Sequence, residues 1–88
     1  MPRFIVIHPP KPGGMTLEEA KQIAVATQED PNVKGCRAFL NLSEGKAVCI
    51  WEAPEAKALV EQLPQIELPF DSIICVEVEG EGALLLQV

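Results

Sequence analysis

Apolar side chains in the first third of the chain recur with two different periods, which predict a strand followed by a helix. Residues 3–8 are rich in β-branched side chains and end at a proline pair, as a strand does. In residues 16–29 the apolar positions recur at the spacing of one helical face. Thr16 and Glu19 match a capping box, and Pro31 ends the helix because proline cannot continue it.

The rest of the chain predicts three more strands, a second helix and an apolar tail. Residues 35–42 and 46–53 are two apolar segments joined by a glycine-containing connection, the pattern of a β-hairpin. Pro54 suits the first turn of a helix, whose apolar residues again recur with helical spacing. Residues 72–79 predict a fourth strand, and residues 80–88 begin with a glycine break and continue as the tail.

The resulting order, β-α-β-β-α-β, predicts a single α+β, ferredoxin-like domain over residues 1–79. Right-handed crossovers favour a four-stranded antiparallel or mixed sheet in the spatial order 4-1-3-2, with both helices on one face. We expect the first strand to run parallel beside the third. The tail, residues 80–88, is expected to pack on a partner copy or to add a strand.

The strands carry more apolar residues than one covered face requires. We expect Ile5, Ile7 and Ile74 to face the helices, which leaves Phe4 and Val6 on the open face. A sheet covered on one side alone should be polar on the other. The chain is therefore predicted to pair sheet to sheet as a homodimer of the dimeric α+β barrel type. The alternative is a monomer whose tail folds back over the sheet.

Three polar side chains are predicted to form a row across this open face. If Ser43 pairs with Lys46 in the hairpin, Arg37 lies opposite a glutamate of the next strand. That glutamate is Glu52, and His8 ends the neighbouring strand on the same face. Such a row can ligate a metal ion, bind a small polar or anionic molecule, or use His8 as an acid or base. The alternatives are a strand-ending histidine that bonds Glu52 or water, and a structural Arg37–Glu52 salt bridge.

Composition and charge exclude several classes of partner. The chain has 7 Lys and Arg against 13 Asp and Glu, a net charge of −6, so we expect neither nucleic acid nor an anionic membrane as a partner. The first apolar run is too short for a signal peptide, and no segment is long enough to span a bilayer. Cys36, Cys49 and Cys75 form no C-x-x-C motif and are expected to be buried, reduced residues of a cytoplasmic protein.

The motifs of common enzyme classes are absent from the sequence. It contains no phosphate-binding loop, dinucleotide-binding glycine motif, serine-hydrolase elbow or zinc-protease motif. With a single histidine, no Ser-His-Asp set can be assigned with any specificity. Whether the protein is an enzyme is therefore left open by the sequence.

Four short segments carry a family resemblance. They are residues 4–8, 35–37, 48–54 and 68–73, of which the third contains a Cys-x-x-Glu-Ala-Pro run. Together they resemble small ferredoxin-like domains of unknown function, some of which are described as nickel-binding. The resemblance spans most of residues 3–78 and implies a dimeric α+β fold and a divalent metal, nickel, with His8 and Glu52 as candidate ligands. The chain departs from a site of several imidazoles, since it has one histidine and carries the cation of Arg37 nearby.

These observations favour a homodimeric binding domain for a divalent metal ion or a small polar or anionic molecule, with His8, Arg37 and Glu52 as its binding residues. An alternative from another class is a cofactor-independent enzyme of the dimeric α+β barrel type, monooxygenase- or isomerase-like, with His8 as acid or base. A purely structural dimer module is the third interpretation. A well-enclosed pocket would favour the enzyme.

Overall fold

A computed structural model describes residues 1–87 as one antiparallel sheet with helices against one face and a separate hairpin. The elements in chain order are β1 (Arg3–Ile7), α1 (Leu17–Ala26), β2 (Lys34–Asn41), β3 (Lys46–Glu52), α2 (Ala56–Gln62), β4 (Ser72–Cys75), β5 (Val78–Glu81) and β6 (Leu84–Gln87). A 3-10 helix, Leu63–Ile66, follows α2 directly. No helix in the described part of the chain is long and apolar enough to cross a membrane.

The main sheet has the predicted spatial order, because β2-β3-β1-β4 is 4-1-3-2 read from the other edge. Its strand pairs are antiparallel, so the expectation that the first strand runs parallel beside the third is wrong. Connectivity explains the direction: the helical crossover makes β2 parallel to β1, and the hairpin then reverses β3. Arg3 consequently pairs with Glu52, and Ile7 pairs with Val48.

Helix α1 begins where the capping box predicts. The Thr16 hydroxyl accepts the Glu19 N–H at 3.1 Å, and the Glu19 carboxylate accepts the Thr16 N–H at 3.2 Å. Hydrogen bonds from the Lys11 ammonium and from the Thr16 backbone hold the pKa of the Glu19 carboxyl below its usual range. The helix ends at Ala26, three residues before the predicted end at residue 29, because the chain turns there towards β2.

On β1 and β4, the side chains that face the helices are the reverse of the predicted set. We define the inner face as Phe4, Val6 and His8 of β1 with the residues that pair beside them, and all three are buried. The prediction that Ile5 and Ile7 face the helices is wrong. Both sets of β1 side chains are apolar apart from His8, so polarity does not distinguish the two faces in the sequence.

The densest packing lies between the inner face and α2. The buried hydrophobic residues are Phe4, Val6, Val33, Trp51, Ala53, Leu59, Leu63 and Leu68. Ile23 of α1 packs at the margin of this core, and none of the ten residues of α1 is itself buried. The α2 side of the inner face therefore carries the closely packed core, whereas α1 covers the face more loosely.

The outer face of the sheet is apolar and uncovered in a single chain. We define it by Ile5, Ile7, Phe39, Val48, Ile50 and Ile74. The Phe39 and Ile74 side chains are 53% and 48% exposed. Ile74 was expected to face the helices, and this prediction is wrong because Ile74 pairs with the outward-facing Ile5.

The C-terminal part departs from a single fourth strand. β4 ends at Cys75 and β5 begins at Val78, so the predicted strand 72–79 is interrupted. β6 pairs with β5 of its own chain, and the sequence-based boundary between residues 79 and 80 falls within β5. Arg3 donates to the Glu79 carboxylate at 2.6 Å, which ties this hairpin to β1. Val88, the last residue of the predicted tail, lies outside the described residues.

The segment before α1 is bound to the turn between β2 and β3. The Lys11 N–H donates to the Gly45 carbonyl at 2.9 Å, and the Met15 N–H donates to the Leu42 carbonyl at 2.9 Å. Gly45 has a φ of 69°, and a Cβ there would overlap the Lys11 carbonyl oxygen. Position 45 therefore requires glycine for two reasons, the positive φ of its backbone and the close approach of Lys11.

The end of α1 is bound to the start of β2. The Gln28 side-chain amide donates to the Gly35 carbonyl at 2.7 Å, and the Gly35 N–H donates to the Thr27 carbonyl at 3.4 Å. A Cβ at Gly35 would lie 2.7 Å from the Thr27 hydroxyl oxygen. Helix α1 is thus held at both ends and crosses the inner face between them.

Replacing Gly45 with alanine is expected to destabilise the protein more than the same change at Gly82. Both glycines have positive φ, 69° and 60°, but a Cβ at Gly82 meets nothing within 4 Å. Gly82→Ala should cost about 1 kcal/mol for the backbone conformation alone, and Gly45→Ala about 3 kcal/mol with the added overlap. Urea unfolding measures both values, and equal losses would contradict the described approach of Lys11.

Candidate functional site

A cavity of about 580 Å³ lies between α1 and the inner face of the sheet. The sheet residues that line it include Ala38, Leu40, Ala47, Cys49 and Trp51. The residues of α1 and its C-terminal cap that line it are Ala20, Ile23, Ala24 and Thr27. A cavity of this volume, with mostly apolar walls, is in the range of small-molecule binding sites.

The cavity exists because small side chains face one another across it. Ala20 and Ala24 of α1 lie above Ala38 and Ala47 of the sheet. The two tethers hold the ends of the helix over the inner face, and the short side chains do not fill the space between helix and sheet. The helix thus lies over this space without filling it, and the space is open to solvent at its side, where Leu40 is 46% exposed.

His8 lies at the end of β1 in the wall of this cavity and is 7% exposed. Its Nδ1 is 2.7 Å from the Pro69 carbonyl oxygen. A carbonyl only accepts hydrogen bonds, so Nδ1 carries the hydrogen, and in the neutral ring Nε2 is then an acceptor. Nε2 is buried and has no hydrogen-bond partner among the described residues.

Trp51 lines the same cavity and is 1% exposed. Its indole N–H is buried, and within residues 1–87 it has no hydrogen-bond partner. A buried polar group left unpaired costs about 1–3 kcal/mol. Two residues of the cavity wall each carry such a group, an acceptor on His8 and a donor on Trp51. Sequence reasoning did not single out Trp51, although an indole N–H in a strand apolar on both faces was a usable signal.

The predicted row of His8, Glu52 and Arg37 does not form. His8 faces the inner side, whereas Glu52 and Arg37 belong to the outer side and the other end of the sheet. The Glu52 carboxylate lies 3.7 Å from the Arg3 guanidinium. The Arg37 guanidinium lies over the Phe39 ring, 5.4 Å from its centroid.

The hairpin register explains why Arg37 is displaced from Glu52. Asn41 pairs with Lys46, so the hairpin closes two positions earlier on β2 than the predicted Ser43–Lys46 pair. With this closure Arg37 pairs with Ile50, and the register shift between Gly35 and Arg37 changes only the pairs beyond it, Gly35–Trp51 and Lys34–Glu52. A β-bulge of this kind adds one residue to a strand and cannot be read from alternating polarity alone.

The cysteines are free thiols, as expected, but the expectation that they are buried is wrong for two of them. Cys36 and Cys75 are exposed, and only Cys49 is partly buried. Burial raises the pKa of the Cys49 thiol to about 11. Burial, followed by the nearby Glu52 carboxylate, also raises the pKa of Cys36. Both thiols therefore stay protonated at neutral pH.

Comparisons with known proteins place the chain beside one described family. The family model described as "Nickel responsive protein SCO4226-like" matches residues 4–76. The crystal structure of SCO4226 from Streptomyces coelicolor A3(2) is similar, with a TM-score of 0.70 and 26% sequence identity. That similarity covers 89% of this chain and 99% of the other. A comparison with curated proteins found no match to the chain.

The side chains of one copy do not fit a nickel ion. In the described range 1–87, no three or more His, Cys, Asp or Glu side chains are placed to hold a metal ion. His8 is the single histidine of the chain. Cysteine must be deprotonated to bind a metal, and the raised pKa values of Cys36 and Cys49 oppose this.

Titration with Ni²⁺ is expected to give the same weak heat for the wild-type protein and for a His8→Ala variant. The physical reason is that one imidazole without further ligands holds a divalent ion poorly. Isothermal titration calorimetry measures this directly. A saturable heat in the wild type that disappears in His8→Ala would contradict the donor set described above.

Proposed function

The chain belongs to the family described as nickel responsive protein SCO4226-like, and from this premise we propose a small, cytoplasmic, homodimeric binding domain of ferredoxin-like fold. Its ligand is a small polar molecule held in the cavity beside His8. The strand order and the two helices on one face support the fold, and three free thiols suit a reducing compartment. The net charge of −6 argues against nucleic acid or an anionic membrane as partner.

The observation that carries the proposal is the state of the His8 ring. Its Nδ1 is fixed by the Pro69 carbonyl, which leaves Nε2 as a buried acceptor without a partner in the described chain. Buried polar atoms in proteins are nearly always paired, so an unpaired one beside a cavity points to a ligand that pairs it. The proposal therefore keeps His8 as a binding residue and leaves out Glu52, while Arg37 borders the cavity with its guanidinium over the Phe39 ring.

The outer face supports the proposed dimer. Its apolar side chains form a band across all four strands, beside Arg37 and Glu52 on the same side, and a contiguous exposed apolar surface of this kind is typical of an interface. A twofold axis would bring the same face of two copies together, so the surface needs to be complementary only to itself. We therefore propose a second copy of this chain as the occupant of the outer face.

The C-terminal hairpin extends the same apolar surface. Leu84, Leu85 and Leu86 are 57%, 70% and 54% exposed. The Arg3–Glu79 pair joins the hairpin to the outer side of β1, because Arg3 pairs with Glu52 on that side. Hairpin and outer face therefore form neighbouring apolar surfaces, and we propose that both contact the partner copy.

A second candidate function is catalysis without a cofactor. The observation that favours it is again His8, since an imidazole oriented by a carbonyl at Nδ1 presents Nε2 as a general base. The cavity also has the volume of a substrate pocket. The two candidates share the binding step and differ in whether the bound molecule is released unchanged.

The wild-type protein is expected to sediment at about twice the chain mass of 9.6 kDa at micromolar concentration. Val48→Glu places a charge on the outer face, where it would have to be buried between two copies, and is expected to shift the protein to the monomer. Circular dichroism of the variant checks that the fold is kept. Analytical ultracentrifugation gives the mass.

The matched control is Val25→Glu, which makes the same change at a 66% exposed site on α1 away from the outer face. This variant should remain a dimer. A wild-type mass of one chain would overturn the dimer, and equal dissociation by both substitutions would overturn its assignment to the outer face.

A further inference from the structure

We propose that the cavity under α1 takes an uncharged, elongated small molecule with a hydrogen-bond donor at one end, an acceptor at the other and an apolar middle. The donor of the ligand meets Nε2 of His8, and its acceptor meets the indole N–H of Trp51. This proposal rests on the proposed function, which it deepens by naming the chemical class of the ligand.

The length of the ligand follows from the strand register. Trp51 pairs with Phe4 across β1 and β3, and His8 stands four residues beyond Phe4 on β1. At about 3.3 Å per residue, the Cα atoms of His8 and Trp51 are separated by about 13 Å along the sheet. A separation of this size between the two residues favours a ligand with two polar ends over a single hydroxyl group that pairs both atoms.

The middle of the ligand is apolar because the floor between these two residues is apolar. Ala47 and Cys49 occupy the inner positions of β3 on the way to Trp51, and Ala38 lies beside Cys49 on β2. The Cys49 thiol remains neutral because burial raises its pKa. A charged or strongly polar group at this place would lose its hydration without gaining a partner.

The charged residues that line the cavity are already engaged or face solvent. Lys11 forms a salt bridge with Glu19. Arg37 lies over the Phe39 ring, and Glu67 is exposed. The floor between His8 and Trp51, formed by Ala38, Ala47 and Cys49, carries no charged side chain that could balance an ionic ligand, which favours an uncharged one.

Helix α1 provides the way in. The two polar atoms have almost no solvent-accessible surface, so a ligand pairs with them only when the parts of the chain around them, α1 among them, move aside. None of the residues of α1 is buried, and its hydrogen bonds to β2 and the hairpin turn lie before and after the helix. The helix can therefore rise from the inner face while its ends stay attached and the core beside α2 stays packed.

Four related probes test this ligand class. The first is 4-(4-hydroxyphenyl)-2-butanone, which has a phenolic donor at one end and a ketone acceptor at the other. 4-Phenyl-2-butanone lacks the donor, 4-butylphenol lacks the ketone, and 3-(4-hydroxyphenyl)propanoate replaces the ketone with a charge. Titrations followed by ¹H–¹⁵N NMR give the dissociation constants and show which backbone amides respond.

The two-ended neutral probe is expected to bind roughly tenfold more tightly than either probe that lacks one polar group, since each removal leaves a buried atom unpaired. The largest shifts should fall on Ala38, Cys49 and α1. Trp51→Phe should abolish the preference over 4-butylphenol and keep the preference over 4-phenyl-2-butanone. His8→Phe should do the reverse, and the spectra themselves show whether each variant is folded.

Two results would overturn the inference in distinguishable ways. If 3-(4-hydroxyphenyl)propanoate binds at these residues more tightly than the neutral probes, the uncharged class is wrong, while the cavity remains the binding site of the proposed function. If none of the four probes shifts the cavity residues, or if all four bind equally, the pairing with His8 and Trp51 is wrong. If the protein is a dimer and no probe changes any amide shift, the cavity is not the binding site and that part of the proposed function is also wrong.

Discussion

Because successive side chains of a strand point to opposite faces, burial of Phe4 and Val6 under the helices carries His8 to the same side of the sheet. The direction of β1 then sets His8 at the end where β3 begins, far from Glu52. This one alternation decides that the imidazole meets the Pro69 carbonyl and the cavity rather than a carboxylate and a guanidinium. The outer apolar face is the other consequence of the same alternation.

The start of α1 and the strand order could be predicted from the sequence, because each depends on a pattern that is typical of a single structure. Thr16 and Glu19 marked the start of α1, and the element order was enough to predict the strand order. The side of β1 that faces the helices could not be predicted, because both orientations of the strand fit the same apolar pattern. The alternating residues of β1 are apolar on both sides, so the choice of inner face rested on no contrast in polarity. The predicted row of site residues is also wrong because the hairpin closes two positions earlier on β2 and because β1 and β3 pair antiparallel, a direction that the connectivity already implies.

The two faces of the sheet have different proposed roles, ligand binding on the inner face and contact with a second copy on the outer face. Small alanines under a tethered helix leave an internal space with one unpaired acceptor and one unpaired donor. The outer face and the C-terminal hairpin present aliphatic surface that one copy does not cover. The family description speaks of nickel, whereas the donor set of a single copy suits hydrogen bonding to an organic molecule better than metal coordination.

The most direct test of the central claim is the position of the proton on the neutral His8 ring, measured by long-range ¹H–¹⁵N NMR in alkaline buffer. The neutral ring is expected to be protonated at Nδ1, with a hydrogen bond to the Pro69 carbonyl and an unprotonated Nε2. Its ring shifts should not change in a Glu52→Gln variant. A ring protonated at Nε2, or one whose shifts follow Glu52→Gln, would contradict it.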